Sequence, residues 1–515
     1  DQDLAWADAV FVSAMLVQAE SLQECIARAN RLDIPVVAGG PHPTTNYAEI
    51  EGVQHFVLGE VENVFPIFFR DWQAGIAKRV YARPVNAVEV DRLRAHFGDD
   101  ADVALAAERV CIEDSPVPRF DLIRMDAYKS MAIQSSRGCP IGCEFCDIWR
   151  RLGRRMRYKS VPKVMAEIEA LYRLGWRSSV FLVDDNFIGN REHAKEFLRV
   201  LGAWQKERGY PIDLYTEATL NLADDPELLK LMSAAAFDLV FLGLETPAEE
   251  SLKETRKFIN TAGSMAERVA RIQAAGIQVS SGFILGFDSD PDDIADRMIR
   301  CIEELGIPVA MVGLLLPLPD TDLQERLARE GRLLASSHGN NTHQFQLSFQ
   351  TKRPVETVIA DYKRVLQAAY PRNLSSYFRR CQILRDRWQG TRRTSRPVRL
   401  FDVRTFFHYV AQALFSSYGW HSLRFLAATA WKKRAFFPAA VSLCVQGHHF
   451  RQITRQAFEV DAVQQYYADL LRQFYDRLQA ERKTLMAEVS RRYQSEREAL
   501  VAEVSRRYQI ERAGL

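Results

Sequence analysis

The chain has 515 residues, of which 47% are apolar and 26% charged, a composition typical of a globular protein of about three domains. Its net charge of +2 is too close to balance to indicate a nucleic-acid partner. Three cysteines cluster at 139–146 and the others are scattered, which argues against a disulfide framework and predicts a reducing compartment such as the cytoplasm. We find no run of about 18 uninterrupted apolar residues and no signal-peptide pattern.

Residues 1–83 alternate short apolar strands with helices. The predicted strands are 8–15, 34–38 and 55–58, and the predicted helix is 18–32. This alternation predicts a parallel, doubly wound α/β sheet, whose ligands bind beyond the carboxyl ends of the strands. Ser13, Gly39 and Gly40 lie at two of those ends. A serine can hydrogen-bond a ligand and glycines let a bulky ligand approach, although a generic nucleotide-binding fold would show the same pattern.

The sequence starts at Asp1 without a methionine and enters a strand within a few residues. We therefore expect residues 1–83 to be only the C-terminal half of an open α/β domain. Residues 84–127 contain Pro116 and Pro118 and few periodic apolar positions, which predicts an extended linker.

Cys139, Cys143 and Cys146 follow the next predicted strand with the spacing C-x3-C-x2-C. Iron–sulfur clusters normally take four cysteines. Three cysteines without a fourth nearby therefore predict a [4Fe–4S] cluster with one iron open to a substrate or cofactor. The alternatives are a zinc knuckle or three unrelated thiols. Zinc usually takes four nitrogen or sulfur ligands, and neither histidine nor cysteine follows at knuckle spacing.

Residues 128–330 repeat a strand–helix unit and predict a partial (β/α)6 barrel. The predicted strands are 131–135, 179–183, 212–217, 239–245, 279–286 and 309–316, and the predicted helices are 161–174, 191–208, 226–235, 264–275 and 291–304. Ser160 is the predicted N-cap of the first helix. In parallel barrels the chemistry occurs at the carboxyl ends of the strands.

Carboxylates follow three successive strands of this barrel: Asp184 and Asp185, then Glu217, then Glu245. Carboxylates in a dry site accept hydrogen bonds from ammonium and hydroxyl groups of a ligand. Each one alone could instead cap the following helix, an alternative that fits Asp185 well. Four at three neighbouring strand ends favour a shared binding role.

A basic run from Arg150 to Lys159 follows the cysteines. It predicts either a solvated loop or a contact with an anion, for which Arg157 and Lys159 are the candidates.

Residues 331–480 are predicted to be an α-helical region. Residues 403–446 are rich in aromatics and contain the basic run 432–434, which is compatible with an interfacial helix. Packing against the barrel or covering its open edge is the alternative. Residues 481–515 repeat with a 15-residue period, which predicts an exposed charged helix or a weak coiled coil.

The cysteine loop with Phe145 before its last cysteine, the segment Val183–Ile188 and the helical C-terminal region resemble cobalamin-dependent radical S-adenosylmethionine (SAM) proteins with a DUF4070-type domain. Ser-x-Met at 13–15 and the pair Gly39–Gly40 resemble motifs of their cobalamin-binding domain. Gly282–Gly286 resembles a fifth-strand glycine motif. Residues 316–321 resemble a P-x-P-G-T element in which Asp320 replaces the usual glycine.

The resemblance implies three cofactors: a [4Fe–4S] cluster, SAM and cobalamin. Cys139, Cys143 and Cys146 would ligate the cluster; Asp184 or Asp185 would bind the SAM amino group; Glu217 and Glu245 would lie near the ribose or sulfonium; Gly282 and Gly286 would lie near adenine; Ser13, Gly39 and Gly40 would contact cobalamin. The histidine of the family's D-x-H-x-x-G loop would precede Asp1, and His42 does not match that loop.

The implied reaction is methylation of an unactivated carbon. Cleavage of SAM gives a 5′-deoxyadenosyl radical that abstracts hydrogen, and methylcobalamin supplies the methyl group. The expected partners are a small hydrophobic substrate such as a lipid, an electron donor such as flavodoxin or ferredoxin, and a peripheral contact with a membrane. The alternatives are a non-methylating rearrangement or oxidative cyclisation, and a non-catalytic iron–sulfur or cobalamin sensor.

Overall fold

The computed structural model describes residue 4 and residues 6–335, 337, 339–390 and 400–513. The chain divides into two compact units, Asp1–Arg451 and Gln452–Leu515. Within the described ranges, no helix is both long enough and apolar enough to cross a membrane.

The first sheet of the larger unit has five parallel strands among its described residues, paired in the order β1-β2-β3-β4-β5. In chain order the elements are β1 (Val10–Ser13), α1 (Ala19–Asn30), β2 (Val36–Gly39), α2 (Pro41–Asn46), β3 (His55–Leu58), α3 (Phe65–Gln73), β4 (Val80–Ala82), α4 (Ala87–Phe97) and β5 (Ala101–Val103). Ser13 pairs with Gly39 in the register of β1 and β2. The strand ends that carry these residues therefore lie side by side, as the alternating pattern predicted.

The predicted linker over 84–127 is wrong in its first part. Residues 87–97 form helix α4, and residues 101–103 form the edge strand β5 of the first sheet. Strands β4 and β5 have three residues each, and Asp102 interrupts β5, so no apolar run marks them. Residues 104–127 contain only short 3-10 turns and agree with an extended connection.

The second sheet confirms the six predicted barrel strands, which pair in parallel in the order β13-β12-β11-β10-β9-β6. Its elements begin with β6 (Ser130–Ile133), the short antiparallel pair β7 (Ser136–Arg137) and β8 (Arg157–Tyr158) around α5 (Ile148–Leu152), α6 (Val161–Arg173), β9 (Ser179–Leu182), α7 (Arg191–Glu207) and β10 (Leu214–Ala218). They continue with α8 (Pro226–Ala234), β11 (Phe237–Glu245), α9 (Glu249–Glu254), α10 (Met265–Ala274), β12 (Gln278–Leu285), α11 (Ile294–Leu305) and β13 (Ala310–Leu314). The carboxyl ends of the six strands meet at one face, where the site lies.

The helix starts in the barrel follow local capping chemistry. Side chains of Asn190, Asp225 and Ser264 accept hydrogen bonds from the first backbone N–H groups of α7, α8 and α10. The predicted cap Ser160 precedes α6 but makes no side-chain cap. Its hydroxyl instead donates to Glu113 Oε1 at 2.7 Å, which ties the connection 104–127 to the barrel.

The turn after β13 has Asp320 at the position where the similar motif has a glycine. Asp320 has a φ of +59°, the left-handed conformation that a glycine adopts most easily. Aspartate tolerates this conformation better than most residues. The chain then turns through Thr321, whose hydroxyl caps α12 (Asp322–Arg329).

The C-terminal region is helical, with α13 (Val355–Ala369), α14 (Ser375–Arg387), α15 (Leu400–Leu414), α16 (Gly419–Lys432) and α17 (Phe437–Ala513) following α12. It covers the free edge of β13: Tyr370 Oη donates to Ala310 O at 2.8 Å, and Tyr362 Oη donates to Val312 O at 3.1 Å. Arg380, fully buried, pairs with Glu303 of α11 at 2.7 Å and fixes α14 to the barrel.

Some aromatic residues of the segment 403–446 are packed inside the protein, and others are exposed to solvent. Tyr409, Phe425 and Phe436 are buried in a core shared with α14, whereas Phe407, Trp420 and Trp431 are exposed. The predicted boundary at residue 480 differs from the structure. The two units separate between residues 451 and 452, and α17 runs through residue 480 without a break. Residues 481–510 are helical with almost every side chain exposed, as the repeat predicted.

Candidate functional site

The cysteine loop connects β7 to α5 at the carboxyl face of the barrel. Gly138 has a φ of +98°, and a side chain there would collide with Gly153 O, so this position requires glycine. The Trp149 indole donates to Cys143 O at 3.0 Å, and the Cys139 N–H donates to Gly153 O at 3.2 Å. These local hydrogen bonds contribute to a defined shape of the loop.

The three thiols are strongly desolvated. Burial raises the pKa of Cys143 to about 11 and that of Cys146 to about 12, and it also raises the pKa of Cys139. Within the described residues, no three His, Cys, Asp or Glu side chains converge on a single metal ion. The thiolates of an iron–sulfur cluster bind separate irons, so a cluster does not require such convergence.

Asp184 has a structural role that differs from the predicted one. It is almost fully buried, and its carboxylate accepts hydrogen bonds from the backbone N–H and the hydroxyl of both Ser135 and Ser136. These four bonds use the acceptor capacity of the carboxylate and fix the end of β6 to the end of β9. Asp184 is therefore not available to bind a ligand amino group.

Asp185 and Glu217 are the carboxylates that face the site. Asp185 accepts one hydrogen bond, from the Gly138 N–H at 2.9 Å, and burial raises its pKa to about 6 with a contribution from Asp184. The Glu217 side chain is reached by solvent, yet the surrounding protein and the charge of Asp185 raise its pKa to about 7. Two carboxylates with raised pKa values in one site favour a cationic ligand.

Glu245 forms an ion pair that the sequence did not predict. It is buried at the end of β11, where a register shift follows Gly243 and Glu245 itself adopts a φ of +64°. Lys257 Nζ lies 3.1 Å from Glu245 Oε1 and is also buried. Although burial opposes the Lys257 charge, Glu245 and Cys143 together raise the pKa of Lys257.

Lys257 therefore brings a fixed positive charge to the cysteine loop. The residue lies beyond α9, twelve positions after Glu245, so sequence spacing gives no signal for the pair. Only the folded barrel brings the two side chains together.

The predicted glycines Gly282 and Gly286 lie on β12 and just after it. A side chain at Gly282 would contact the Phe241 ring at 3.3 Å. Gly286 has a φ of +108°, and its N–H donates to Asp290 Oδ2 at 2.9 Å. Packing and turn geometry thus account for both glycines, and their contact with adenine stays a prediction.

Helix α12 holds the cysteine loop from outside the barrel. Arg326 donates to both oxygens of Glu144, which lies between two of the cysteines, at 2.7 and 3.2 Å. The same guanidinium donates to Asp288 at 2.8 Å. The Leu323 N–H also donates to Glu144 O at 3.0 Å, so α12 fixes Glu144 by side chain and backbone.

Ion pairs connect the first sheet to the cysteine loop. Glu60, beyond β3, accepts from Arg137 at 3.0 Å and from Arg157 at 2.8 Å. Arg137 also pairs with Glu62 at 2.7 Å. The predicted contacts of Arg157 and Lys159 with an anionic ligand differ from the structure. Arg157 forms an ion pair with Glu60. Lys159 is buried, and its Nζ lies 2.6 Å from Glu167 Oε1.

A cavity of about 930 Å³ lies between the strand ends of the first sheet and the cysteine loop. Ser13, Gly39 and Gly40 line it from one side, and Arg137 and Arg150 line it from the other. Gly40 has a φ of +86°, and a side chain there would collide with Ser13 Oγ. The serine hydroxyl therefore lies directly against the backbone of Gly40. The volume lies near the upper end of ordinary ligand pockets, about 300–1,000 Å³.

Two parts of the chain match protein families. Residues 133–302 match the Radical SAM superfamily, and residues 321–462 match a domain of unknown function, DUF4070. The first match contains all three loop cysteines and the carboxylates from Asp184 to Glu245.

Curated relatives include proteins named as methyltransferases. An uncharacterized methyltransferase of Synechocystis is 41% identical over 71% of this chain and 64% of its own length. The hopanoid C-2 methylase of Rhodopseudomonas palustris is 36% identical over 72% of this chain and 65% of its own length. This chain thus spans slightly less than two thirds of the length of each of these relatives.

A solved structure shares the fold. The radical SAM methyltransferase TsrM from Kitasatospora setae, with cobalamin and a [4Fe–4S] cluster bound, aligns with a TM-score of 0.53 at 17% identity and covers 89% of this chain and 90% of that chain. This similarity shows that the two chains share a fold.

Proposed function

Because residues 133–302 are a radical SAM domain and residues 321–462 a DUF4070 domain, we propose that this chain is a cobalamin-dependent radical SAM C-methyltransferase. Its substrate is an unactivated carbon of a hydrophobic molecule, a hopanoid or another lipid. The proposal depends on the loop of Cys139, Cys143 and Cys146 at the carboxyl face of a parallel barrel. Beside this loop, the carboxylates of Asp185 and Glu217 keep acceptor capacity for a ligand.

The chain has residues that fit each cofactor. Three thiols without a fourth suit a [4Fe–4S] cluster with one open iron. Asp185 and Glu217 suit the amino group and the ribose or sulfonium of SAM, and Asn186 next to them has a buried side-chain oxygen with no partner. When bound, the cluster would supply the electron that cleaves SAM, and cobalamin would supply a transferable methyl group.

The protein's own contribution is orientation, charge and exclusion of water. The raised pKa values of Cys143 and Cys146 mean that both thiols stay protonated until metal replaces the protons. Lys257 offsets part of the negative charge that bound thiolates bring. The ring centroids of Phe145 and Phe287 lie 6.1 Å apart, so the two rings form part of an apolar wall beside the loop.

We propose that cobalamin binds in the cavity between the first sheet and the cysteine loop. Ser13, Gly39 and Gly40 would meet its nucleotide tail, and the open side would face the barrel. Among the described residues that line the cavity there is no histidine, cysteine or methionine. Flavodoxin or ferredoxin would supply the electron, and the hydrophobic substrate would be reached by peripheral contact with a membrane.

The products distinguish methylation from the other reactions considered. The reconstituted, reduced chain is incubated without oxygen with SAM and a bacterial lipid extract, followed by mass spectrometry. We expect S-adenosylhomocysteine together with 5′-deoxyadenosine, and a lipid that gains one methyl group. Formation of 5′-deoxyadenosine alone would instead support a non-methylating rearrangement or cyclisation, and no SAM cleavage would support a sensor.

A further inference from the structure

Helices α15 and α16 are joined by the four-residue turn 415–418 and form a hairpin that is apolar on two sides. The inner side, with Tyr409 and Phe425, is buried in the core of the C-terminal region. The outer side exposes large apolar residues to solvent: Leu400, Phe407, Leu414, Phe415, Trp420 and Trp431. Single exposed apolar residues are ordinary, but a contiguous set marks an interaction surface.

The spacing of the outer residues places them on one stripe of each helix. Leu400, Phe407 and Leu414 follow one another at intervals of seven along α15. On α16, Trp420, Ala427 and Trp431 follow at intervals of seven and four. Both intervals correspond to whole helical turns. Trp420 and Trp431 are 73% and 85% exposed, values far above those of the tryptophans in the barrel core.

The charge of the hairpin separates it from the rest of the chain. Residues 400–434, the hairpin with the short turn that follows it, contain five basic residues and one acidic residue, in a chain whose net charge is only +2. Arg404, Arg424, Lys432 and Arg434 are exposed. Arg424 lies between Trp420 and Ala427 on the outer stripe itself, so cations and apolar side chains share one surface.

We propose that this outer face of α15 and α16 docks on an anionic membrane surface, with Trp420 and Trp431 in the interfacial layer. Tryptophan prefers the interface because its ring is apolar and its N–H is polar. Basic residues beside it are attracted by anionic head groups. A second copy of the chain is a poorer occupant, because two such faces would bring like charges together. The inference rests on the peripheral membrane contact proposed above and names the residues that make it.

Vesicle sedimentation tests the surface without any cofactor. The full chain is mixed with vesicles of phosphatidylcholine alone or with phosphatidylglycerol added. We expect binding to the anionic vesicles, weakened by salt, and much weaker binding to the neutral ones. Trp420→Ser with Trp431→Ser should release the protein, whereas Trp6→Ser, which alters an equally exposed tryptophan outside the hairpin, should not.

Charge variants measure the electrostatic part separately. Arg424→Gln and Lys432→Gln should each weaken binding to anionic vesicles about fivefold, since one basic residue near such a surface contributes about 1 kcal/mol. Binding to neutral vesicles should not change. Far-UV circular dichroism and SAM cleavage in detergent should match the original chain, which separates this inference from the catalytic proposal.

Three results would overturn the inference. One is that the original chain does not sediment with anionic vesicles. Another is that the double tryptophan variant sediments as the original chain does. The third is that the variants change only the oligomeric state measured by analytical ultracentrifugation, which would assign the surface to a second copy. SAM cleavage could persist in each case, so the proposed reaction would stand or fall by its own test.

Discussion

Neighbouring residues with the same side chain have different roles in this site. Asp184 accepts four hydrogen bonds from Ser135 and Ser136, whereas Asp185 accepts one and keeps an open side. The sequence predicted that the carboxylates collect at the strand ends. It could not assign the two aspartates, because the donors come from another strand 48 and 49 positions earlier in the chain.

Asp184→Asn and Asp185→Asn form a matched pair that tests this division. Asp184→Asn leaves buried donors without an acceptor, so the apparent free energy of unfolding should fall by about 2–3 kcal/mol. Asp185→Asn should change stability by less than about 1 kcal/mol but weaken SAM binding by about tenfold or more, because a charged hydrogen bond is lost. Denaturation midpoints and SAM titration of the reconstituted protein measure both. Equal effects on stability would contradict the assignment.

Glu217 should make SAM binding depend on pH. The surrounding protein and the charge of Asp185 raise its pKa to about 7, so the carboxylate is largely protonated below that pH. A cationic ligand needs the ionised form, so the SAM dissociation constant should rise by up to tenfold per pH unit below 7. Glu217→Gln should remove the change of SAM affinity near pH 7. The change near pH 6 should remain, because it belongs to Asp185, whose pKa is about 6. An unchanged profile in the variant would remove Glu217 from the SAM site.

At the scale of elements, α12 links the C-terminal region to the cysteine loop. Arg326 pairs with the buried Glu144 and shares Asp288 with Arg332. Breaking a buried charge pair from one side costs more than the pair contributes, because the remaining charge is desolvated. The fixed loop is therefore a consequence of a helix that lies outside the barrel.

Arg326→Met should loosen the loop. We expect the apparent free energy of unfolding to fall by about 3 kcal/mol and the reconstituted protein to retain less iron per chain after desalting. Arg329→Met, at an exposed position of the same helix, should behave as the original chain. Glu144→Gln combined with Arg326→Met should recover part of the loss, as a double-mutant cycle requires. If Arg326→Met and Arg329→Met gave the same result, α12 would have no role in holding the loop.

Elements with a strong local pattern were predictable from the sequence, and short ones were not. All six barrel strands were expected, because short apolar stretches alternate there with five predicted helices. Strands β4 and β5, with three residues each, were missed. Lys257 and Arg326 were missed for another reason: their partners are decided by the tertiary fold, not by spacing.

At the scale of the whole molecule, ion pairs connect the first sheet of the larger unit to the cysteine loop. Glu60 and Glu62 beyond β3 hold Arg137 directly before the cysteine loop. All three residues line the cavity between the strand ends of the first sheet and the barrel. The arrangement would place a methyl donor on one side of the cysteine loop and the SAM site on the other, as the proposed reaction requires.

In the proposed reaction, the cysteine loop binds a cluster that cleaves SAM. The most direct measurement is 5′-deoxyadenosine formed by the reduced, reconstituted chain, with iron per chain determined on the same sample. We expect cleavage by the original chain and by Cys111→Ala, whose cysteine is exposed outside the loop, and neither iron nor cleavage in Cys143→Ala. Full cleavage by Cys143→Ala, or none by an original chain that holds its iron, would show that the loop does not have this role.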